Sequence, residues 1–570
     1  MKQVLAEALA KHTNLSLEVI TRAIERPKKR EHGDLAFPCF ALAKVWQISP
    51  NECAKKLGTE LVLPANFDRA TAVGPFLNFS FERKHFAQGI FADIPAAKIC
   101  SPRSETIIVE YSSPNIAKPF HVGHLRATLI GNSLDRVYRA CGYNVVSINH
   151  LGDWGTQFGF VWAGCKLWGT PENATVTDLV ELYRRATSLK EEQEKEIKQP
   201  NPPNRELTTV NELARKYFLD LEAGAEYAVD FWKWCVDISM RYFRRTYERI
   251  DANFDHYTGE SFYSDKLEGV KLQLEKSGIL QTSQGALGVD LGEELGFARV
   301  LTPDGRSLYL TRDIAAAEYR FQTFKFSRAL YVVGAPQSLH FRQLKGVLRA
   351  LGHNYAENII HVEFGHVLGM RTRGEGEFIE LNEFFDEAYE RSLHAYREQV
   401  MKRPEGLDEH SVATAVARAA IIFSTLNRTR SKDVHFDWNH ALAFQGDSGP
   451  YLLYAYARIN GIKEKANAAG ISLQKSIDPA QLTDDHAYHL LALVGDYDEV
   501  IERTISDNEP NHLASYALEL ARGVSQSYME LKVVGAEKTL GEARLALFEA
   551  VRITLGKSLR LLGIEPVERM

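Results

Sequence analysis

The stretch from Thr106 to Ile148 constrains this chain most: an alternating apolar run, a polar turn, an amphipathic run and a second apolar run follow one another there. Ile107, Val109 and Tyr111 alternate with Thr106, Ile108 and Glu110, which predicts a largely buried strand over 106–112. Leu125, Leu129, Leu134 and Val137 recur near helical spacing, which predicts a helix from His124 to Cys141 closed by Gly142. Tyr143 to Ile148 reads as the next strand, so the segment is one βαβ unit of a parallel sheet. Ligands bind at the carboxyl ends of such strands.

The turn that joins strand to helix reads Ser112-Ser113-Pro114-Asn115-Ile116-Ala117-Lys118-Pro119-Phe120-His121-Val122-Gly123-His124. A helix N-terminus carries unpaired N–H groups and partial positive charge, a glycine at 123 lets an anion approach the backbone, and His121 and His124 add directional donors. That combination suits nucleotide phosphates. Two histidines in a polar loop also serve as surface or capping residues, so His-x-Gly-His alone leaves both roles open.

Composition sets the bounds around this unit. A chain of 570 residues exceeds one compact core and predicts two to four domains. No uninterrupted apolar run reaches the roughly 18 residues of a membrane span. The first residues mix Glu7, Glu18 and Glu25 with Lys and Arg and lack a signal-peptide apolar region, so a cytoplasmic protein with no membrane partner is expected. Cysteines at 39, 53, 100, 141, 165 and 235 form no Cys-x-x-Cys pair and meet no histidines at zinc-finger spacing, so reduced thiols and no zinc are expected. The net charge of −6 lacks the basic footprint of a general nucleic-acid binder.

Patterning divides the chain in three. Residues 1–103 begin with helical patterns and close on the alternating Gly74-Pro75-Phe76-Leu77-Asn78-Phe79, which predicts a small α+β module. Its Arg26-Pro27-Lys28-Lys29-Arg30 cluster suits either phosphate or a solvated loop. Residues 104–445 form the α/β part, with strands at 329–333 and 359–364, a helix at 341–351, and a charged, helical insertion near 165–260 that carries no evident chemistry. Ser307 to Thr311 reads as strand-like, with Asp313 opening a helix at Ile314, where an acid in the first turn is favourable in itself. Residues 446–570 read as helix after helix, at 450–466, 486–504, 512–529 and 540–562, which predicts an all-α bundle. That bundle holds 13 basic against 18 acidic residues, so any RNA contact in it is expected to be local.

The residues carry a resemblance as well. His121-Val122-Gly123-His124 is similar to the HIGH motif of class I aminoacyl-tRNA synthetases, and Ser113 to Phe120 before it resembles arginyl-tRNA synthetases in particular. Gly152 to Gly159, Tyr309 to Asp313, Tyr331 to Gln337, Phe436-Asp437-Trp438, Gly446 to Arg458 and the closing Pro566-Val567-Glu568-Arg569-Met570 are similar to further blocks of that family, so the resemblance covers nearly the whole chain.

The resemblance implies a doubly wound, Rossmann-like α/β catalytic domain with an N-terminal α+β domain that contacts the tRNA elbow and a C-terminal anticodon-binding bundle of the DALR type. It implies that L-arginine is activated with ATP to arginyl-adenylate, with Mg2+ accompanying ATP, and then passed to the terminal ribose 2′-hydroxyl of tRNA(Arg). It implies further that bound tRNA is required before arginine is activated efficiently. Lys118, His121 and His124 are the expected catalytic residues. Lys118, His121, Gly123, His124, Met370, Arg371 and Arg373 are expected around ATP. The KMSKS-like loop at 369–376 lacks its usual second lysine, and Lys118 is the expected compensating cation.

For the amino acid, Asp313 with Tyr309 is expected at the substrate side chain, and Glu110, Asn115 and Gln337 at its amino and carboxylate ends. A guanidinium needs planar paired acceptors, and lysine leaves part of that geometry unfilled, so no editing domain is expected. A monomer is expected. Two rival readings remain: another HIGH-motif nucleotidyltransferase, and a catalytically altered tRNA-binding paralogue. Intact Lys118, His121, Gly123, His124 and Asp313 weigh against the second.

Overall fold

The computed structural model describes residues 1–27, 29–93, 102–118, 120–197, 209–283, 285–303, 305–368, 380–398, 406–474 and 477–570. They form two compact units, one of residues 1–98, 458–497 and 519–554, the other of 99–457, 498–518 and 555–570.

The larger unit is built on a five-stranded parallel sheet in the spatial order Ile359–His361, Arg328–Tyr331, Thr106–Glu110, Asn144–Asn149, His256–Tyr257. The strand that comes first in the chain lies in the middle. Ile107, Ile108 and Val109 are buried on both faces of the sheet, which is why a continuous apolar run was required there. Successive strands then add on one side, and later strands on the other. The doubly wound order places a crevice beside the central strand at its carboxyl end, where Glu110 pairs in register with Tyr331 and Ile148.

The helix after the central strand spans Val122–Ala140 and buries Leu125, Leu129, Leu134 and Val137 against the sheet. Gly142 follows with φ 79° and donates to the Arg139 carbonyl, a left-handed helix ending that glycine adopts without strain. Tyr111 rests directly on Gly131 of this helix: a Cβ there would lie 2.1 Å from the Tyr111 Cβ. Among the described residues, the stretch after the second strand holds the helices Gln157–Trp168, Val176–Ile197, Val210–Glu222 and Glu226–Ile250.

Two local expectations need correction, and one sheet had no counterpart in the sequence reading. Ser307 to Thr311 is not a strand: only Ser307 makes a bridge, to Leu301, and Tyr309 already opens the helix Tyr309–Phe324 with Asp313 inside it. The Leu308 amide donates to Val300 at 3.0 Å and ends the extended run. The helix expected over 486–504 is two, Asp485–Gly495 and Tyr497–Asp507, parted at Asp496; within the first, Gly495 makes room for Phe86 and Ile90. An antiparallel sheet of Leu280–Ser283, Ala286–Asp290 and Phe297–Leu301 was not foreseen.

The smaller unit holds an antiparallel sheet in the order Leu35–Pro38, Phe76–Phe81, Phe67–Val73, with helices around it. Tyr488 donates to Asp34 at 2.6 Å and Arg83 to Asp485 at 2.8 Å, so residues 1–98 and the 458–497 segment are joined within this unit. Of the basic cluster, Arg26 is ion-paired with Asp496 at 2.5 Å and Lys29 with Glu31 at 3.3 Å; Lys28 lies outside the described residues. Cys39, Cys53, Cys141, Cys165 and Cys235 are buried free thiols, and Cys100 lies outside the described residues.

Candidate active site

The loop from the central strand to the histidine helix is bent through backbone that few side chains adopt. Ser112, Ser113 and Ala117 have φ of 73°, 49° and 56°, each in the left-handed region. Such residues persist only where surroundings over-determine them, and they cluster at functional sites. Here the Tyr247 hydroxyl lies 2.8 Å from Ser112 Oγ, Thr128 donates to the same oxygen, and Ala117 N donates to Ser239 Oγ at 3.2 Å. Ile116 N and Gly152 N bond reciprocally across to Gly152 and Pro114, both at 3.1 Å. Asn115 is exposed at the centre of that bridge, and its carboxamide lies over Gly152, whose missing side chain makes the room.

The two histidines cap their own helix. His121 is the N-cap residue, its Nδ1 accepts the Gly123 N–H at 3.0 Å, and the His121 N–H points back to His124 Nδ1 at 3.3 Å. The Gly123 N–H is therefore taken by an imidazole, which revises the expectation of an open donor. Glycine is needed at 123 because a Cβ would lie 2.7 Å from the His121 ring. In this arrangement each Nδ1 is an acceptor, so each ring carries its proton on Nε2. Burial lowers the pKa of both, that of His124 to about 3 with help from neighbouring His121 and Lys118. Both are neutral donors at pH 7. Lys118 stands partly buried before them, with no carboxylate in ion-pairing distance among the described residues.

A second cluster lies along the same sheet edge. Glu110 is buried and pairs with Arg320 at 2.5 Å; Arg320 has 0% exposure and lies near the rings of Tyr331 and Tyr263. Burial disfavours the charged guanidinium, and Glu110 with the two tyrosines more than reverses this, so Arg320 stays protonated. Asp313 lies on the same helix as Arg320, two turns earlier, and its Oδ2 is 2.6 Å from His340 Nε2. Burial works against a charged His340, but the bond and charge of Asp313 outweigh it and raise its pKa. This pairing leaves Asp313 Oδ1 as the oxygen without a protein partner among the described residues. Next to it, Arg312 pairs with Glu260 at 2.6 Å.

Tyr309 is 71% exposed at the start of that helix, with the Arg312 guanidinium 5.7 Å from its ring centre. Gln337 ends the turn Ala335–Gln337, which the Ala335 N–H ties to Phe364 at 3.0 Å before the helix Ser338–Ala350 begins. Both helices start at the carboxyl edge of the sheet, because each runs antiparallel to the strand it adjoins. Glu110, Asn115, the histidines, Asp313 and Gln337 are thereby brought to one edge. Met370, Arg371 and Arg373 lie outside the described residues.

Arg320, His340 and the Glu260–Arg312 pair were not singled out from the sequence. The one available signal was spacing: Arg320 falls two helical turns after Asp313, and His340 follows Gln337 by one turn.

Comparison with known proteins gives a consistent result along the chain. Residues 90–438 match the family described as tRNA synthetases class I (R), catalytic domain; residues 452–570 match the DALR anticodon binding domain; residues 1–81 match the arginyl tRNA synthetase N terminal domain. The arginine–tRNA ligase of Halothermothrix orenii is 36% identical, over 100% of this chain and 99% of its own. That of Clostridium beijerinckii is 37% identical over the whole of both chains. Among solved structures, Thermus thermophilus arginyl-tRNA synthetase aligns over 100% of both chains with a TM-score of 0.82 and 25% identity. Arginyl-tRNA synthetase from Plasmodium falciparum, at 21% identity and a TM-score of 0.81, shares the fold, over 100% of this chain and 98% of its own.

Proposed function

Because the chain belongs to the arginyl-tRNA synthetase family of class I and is an arginine–tRNA ligase, we propose how its own side chains divide the work. The arginine carboxylate attacks the α-phosphorus of ATP, negative charge grows on the phosphoryl oxygens, and pyrophosphate leaves. His121 and His124 meet that charge as Nε2–H donors. Neutral rings pinned through Nδ1 need no reorientation as the charge develops, which is what makes preorganised donors effective. Lys118 supplies the nearby positive charge, Gly123 permits the cap, and Met370, Arg371 and Arg373 complete the nucleotide site from the 369–376 loop.

Asp313 receives the substrate guanidinium, with Tyr309 beside it. His340 holds one oxygen of Asp313 so that the other faces the incoming fork, and Arg320 neutralises Glu110 and fixes it at the strand end. Asn115, Gln337 and Glu110 orient the amino and carboxylate groups. Magnesium enters with ATP on phosphate oxygens and water. The activated arginine passes to the terminal ribose 2′-hydroxyl of tRNA(Arg). Residues 1–103 contact the tRNA body, 104–445 carry the chemistry, and 446–570 read the anticodon by stacking and base-edge bonds. The working unit is a cytoplasmic monomer; among the described residues no helix is long and apolar enough to cross a membrane.

The observation that carries this reading is the pair of Nδ1-capped imidazoles on the same sheet edge as the Asp313–His340 pair. Its test is an aminoacylation screen of the twenty amino acids with homologous tRNA. Arginine alone is expected to be charged, and only with ATP. Charging of a different amino acid, or adenylate transfer to a small-molecule acceptor in place of tRNA, contradicts it.

A further inference from the structure

A loop of the C-terminal helical region reaches both chain segments that flank the nucleotide elements. It joins the helices Tyr497–Asp507 and Asn511–Ser527. Asn508, in left-handed backbone at φ 51°, accepts from the Tyr138 hydroxyl at 2.8 Å, and the Ile505 carbonyl lies 3.2 Å from the same hydroxyl. Tyr138 is on the helix that His121 caps, and it is fully buried.

Glu509, one residue on, is buried at 7% exposure. Its two carboxylate oxygens accept the Arg430 N–H at 3.2 and 3.1 Å, and Oε2 lies 3.9 Å from Arg430 Nε. Arg430 in turn donates through Nη1 to the Glu363 carbonyl at 2.7 Å and accepts the Gly365 N–H at 2.9 Å. From there Val367–Leu368 pairs with Val434–His435 and runs directly into residues 369–379. The same turn faces the histidine helix: Arg126, two residues after His124 and without exposed surface, donates to the carbonyls of Thr429 at 3.2 Å and Lys432 at 2.5 Å. Burial lowers the Arg126 pKa to about 10, and Glu509 and Asp433 are the carboxylates that oppose this.

A buried carboxylate is a costly way to hold two elements together when apolar side chains would serve, and its return is a fixed register. These bonds tie the loop to the histidine helix through the Tyr138 side chain, the 429–432 turn to the same helix through Arg126, and that turn to the 363–365 segment just before the strand that feeds 369–379. We propose that Glu509, seated through Arg430 and Arg126, is a positioning residue for ATP: it fixes the spacing between the helix that bears His121 and His124 and the strand leading to the 369–376 loop. This rests on the reading above that both elements meet the nucleotide.

The test is arginine-dependent ATP–pyrophosphate exchange by the full chain in the presence of tRNA, with the KM for ATP and for arginine measured separately. Glu509→Ala is expected to raise the KM for ATP about tenfold or more, the scale on which small misplacements of binding elements act, with the arginine KM within about twofold. Glu509→Gln keeps an acceptor for the Arg430 N–H and is expected to recover most of the loss. Tyr138→Phe, which removes one hydroxyl and leaves the packing, is expected to raise the ATP KM by about threefold and serves if Glu509→Ala does not fold. Equal rises in both KM values, or an unchanged ATP KM in folded variants while His124→Ala impairs ATP use, overturn the proposal. If His124→Ala also leaves ATP use unchanged, the reading of the histidines falls as well.

Discussion

Replacing Asp313 with alanine is expected to lower kcat/KM for arginine by about a thousandfold, most of it in KM. Truncating one partner of a desolvated, hydrogen-bonded charge pair costs about 2–5 kcal/mol, and each 1.4 kcal/mol is a factor of about ten. Two groups lose their partner at once: the substrate guanidinium, which no longer finds Oδ1, and His340, whose Nε2 bond of 2.6 Å disappears. The His340 pKa is raised only because the bond and charge of Asp313 outweigh burial. In the variant only burial acts on His340 and it favours the neutral ring, so the pocket does not gain an uncompensated positive charge to offset the loss. Arginine titration of pyrophosphate exchange measures the effect; full retention of arginine charging removes the specificity argument.

Replacing His124 with alanine is expected to lower the rate of adenylate formation by about a hundred- to a thousandfold, the range seen when one preorganised donor to a developing oxyanion is removed. The KM for arginine is expected to stay close to the parent value, because the amino-acid cluster is held by separate residues. Part of the loss is indirect: His124 Nδ1 also receives the His121 N–H, so removal loosens the cap that orients the first ring. Single-turnover formation of arginyl-adenylate separates this chemical step from release. A rate within threefold or so of the parent contradicts a role in stabilising the transition state.

The parts of this site that were legible in the sequence are those written in local pattern. A strand buried on both faces must be apolar throughout, a helix on a sheet must be apolar on one stripe, and both signals survive without any structure at 106–148. The histidine turn was legible as a place, less so as a mechanism. Spacing admitted phosphate donors and capping residues alike, and the geometry makes the imidazoles caps through Nδ1, with the proton of each ring on Nε2.

What could not be read depends on contacts between distant residues. Nothing near Glu110 foretells Arg320, and nothing near Asp313 foretells His340, because each pair forms only when separate helices reach the same sheet edge. The left-handed backbone at Ser112, Ser113 and Ala117 has no glycine or asparagine to announce it, since tertiary hydrogen bonds impose it. Leu308 to Thr311 alternates like a strand, yet the bond from Leu308 to Val300 turns the chain into a helix.

The most direct measurement is a crystal structure of the protein bound to a non-hydrolysable arginyl-adenylate analogue. The guanidinium is predicted to bond Asp313 Oδ1, with His340 still on Oδ2, and the phosphate of the same ligand to lie within hydrogen-bond reach of His121 and His124 Nε2. A ligand whose guanidinium lies away from Asp313, or whose phosphate is bound elsewhere than at the two imidazoles, contradicts the account.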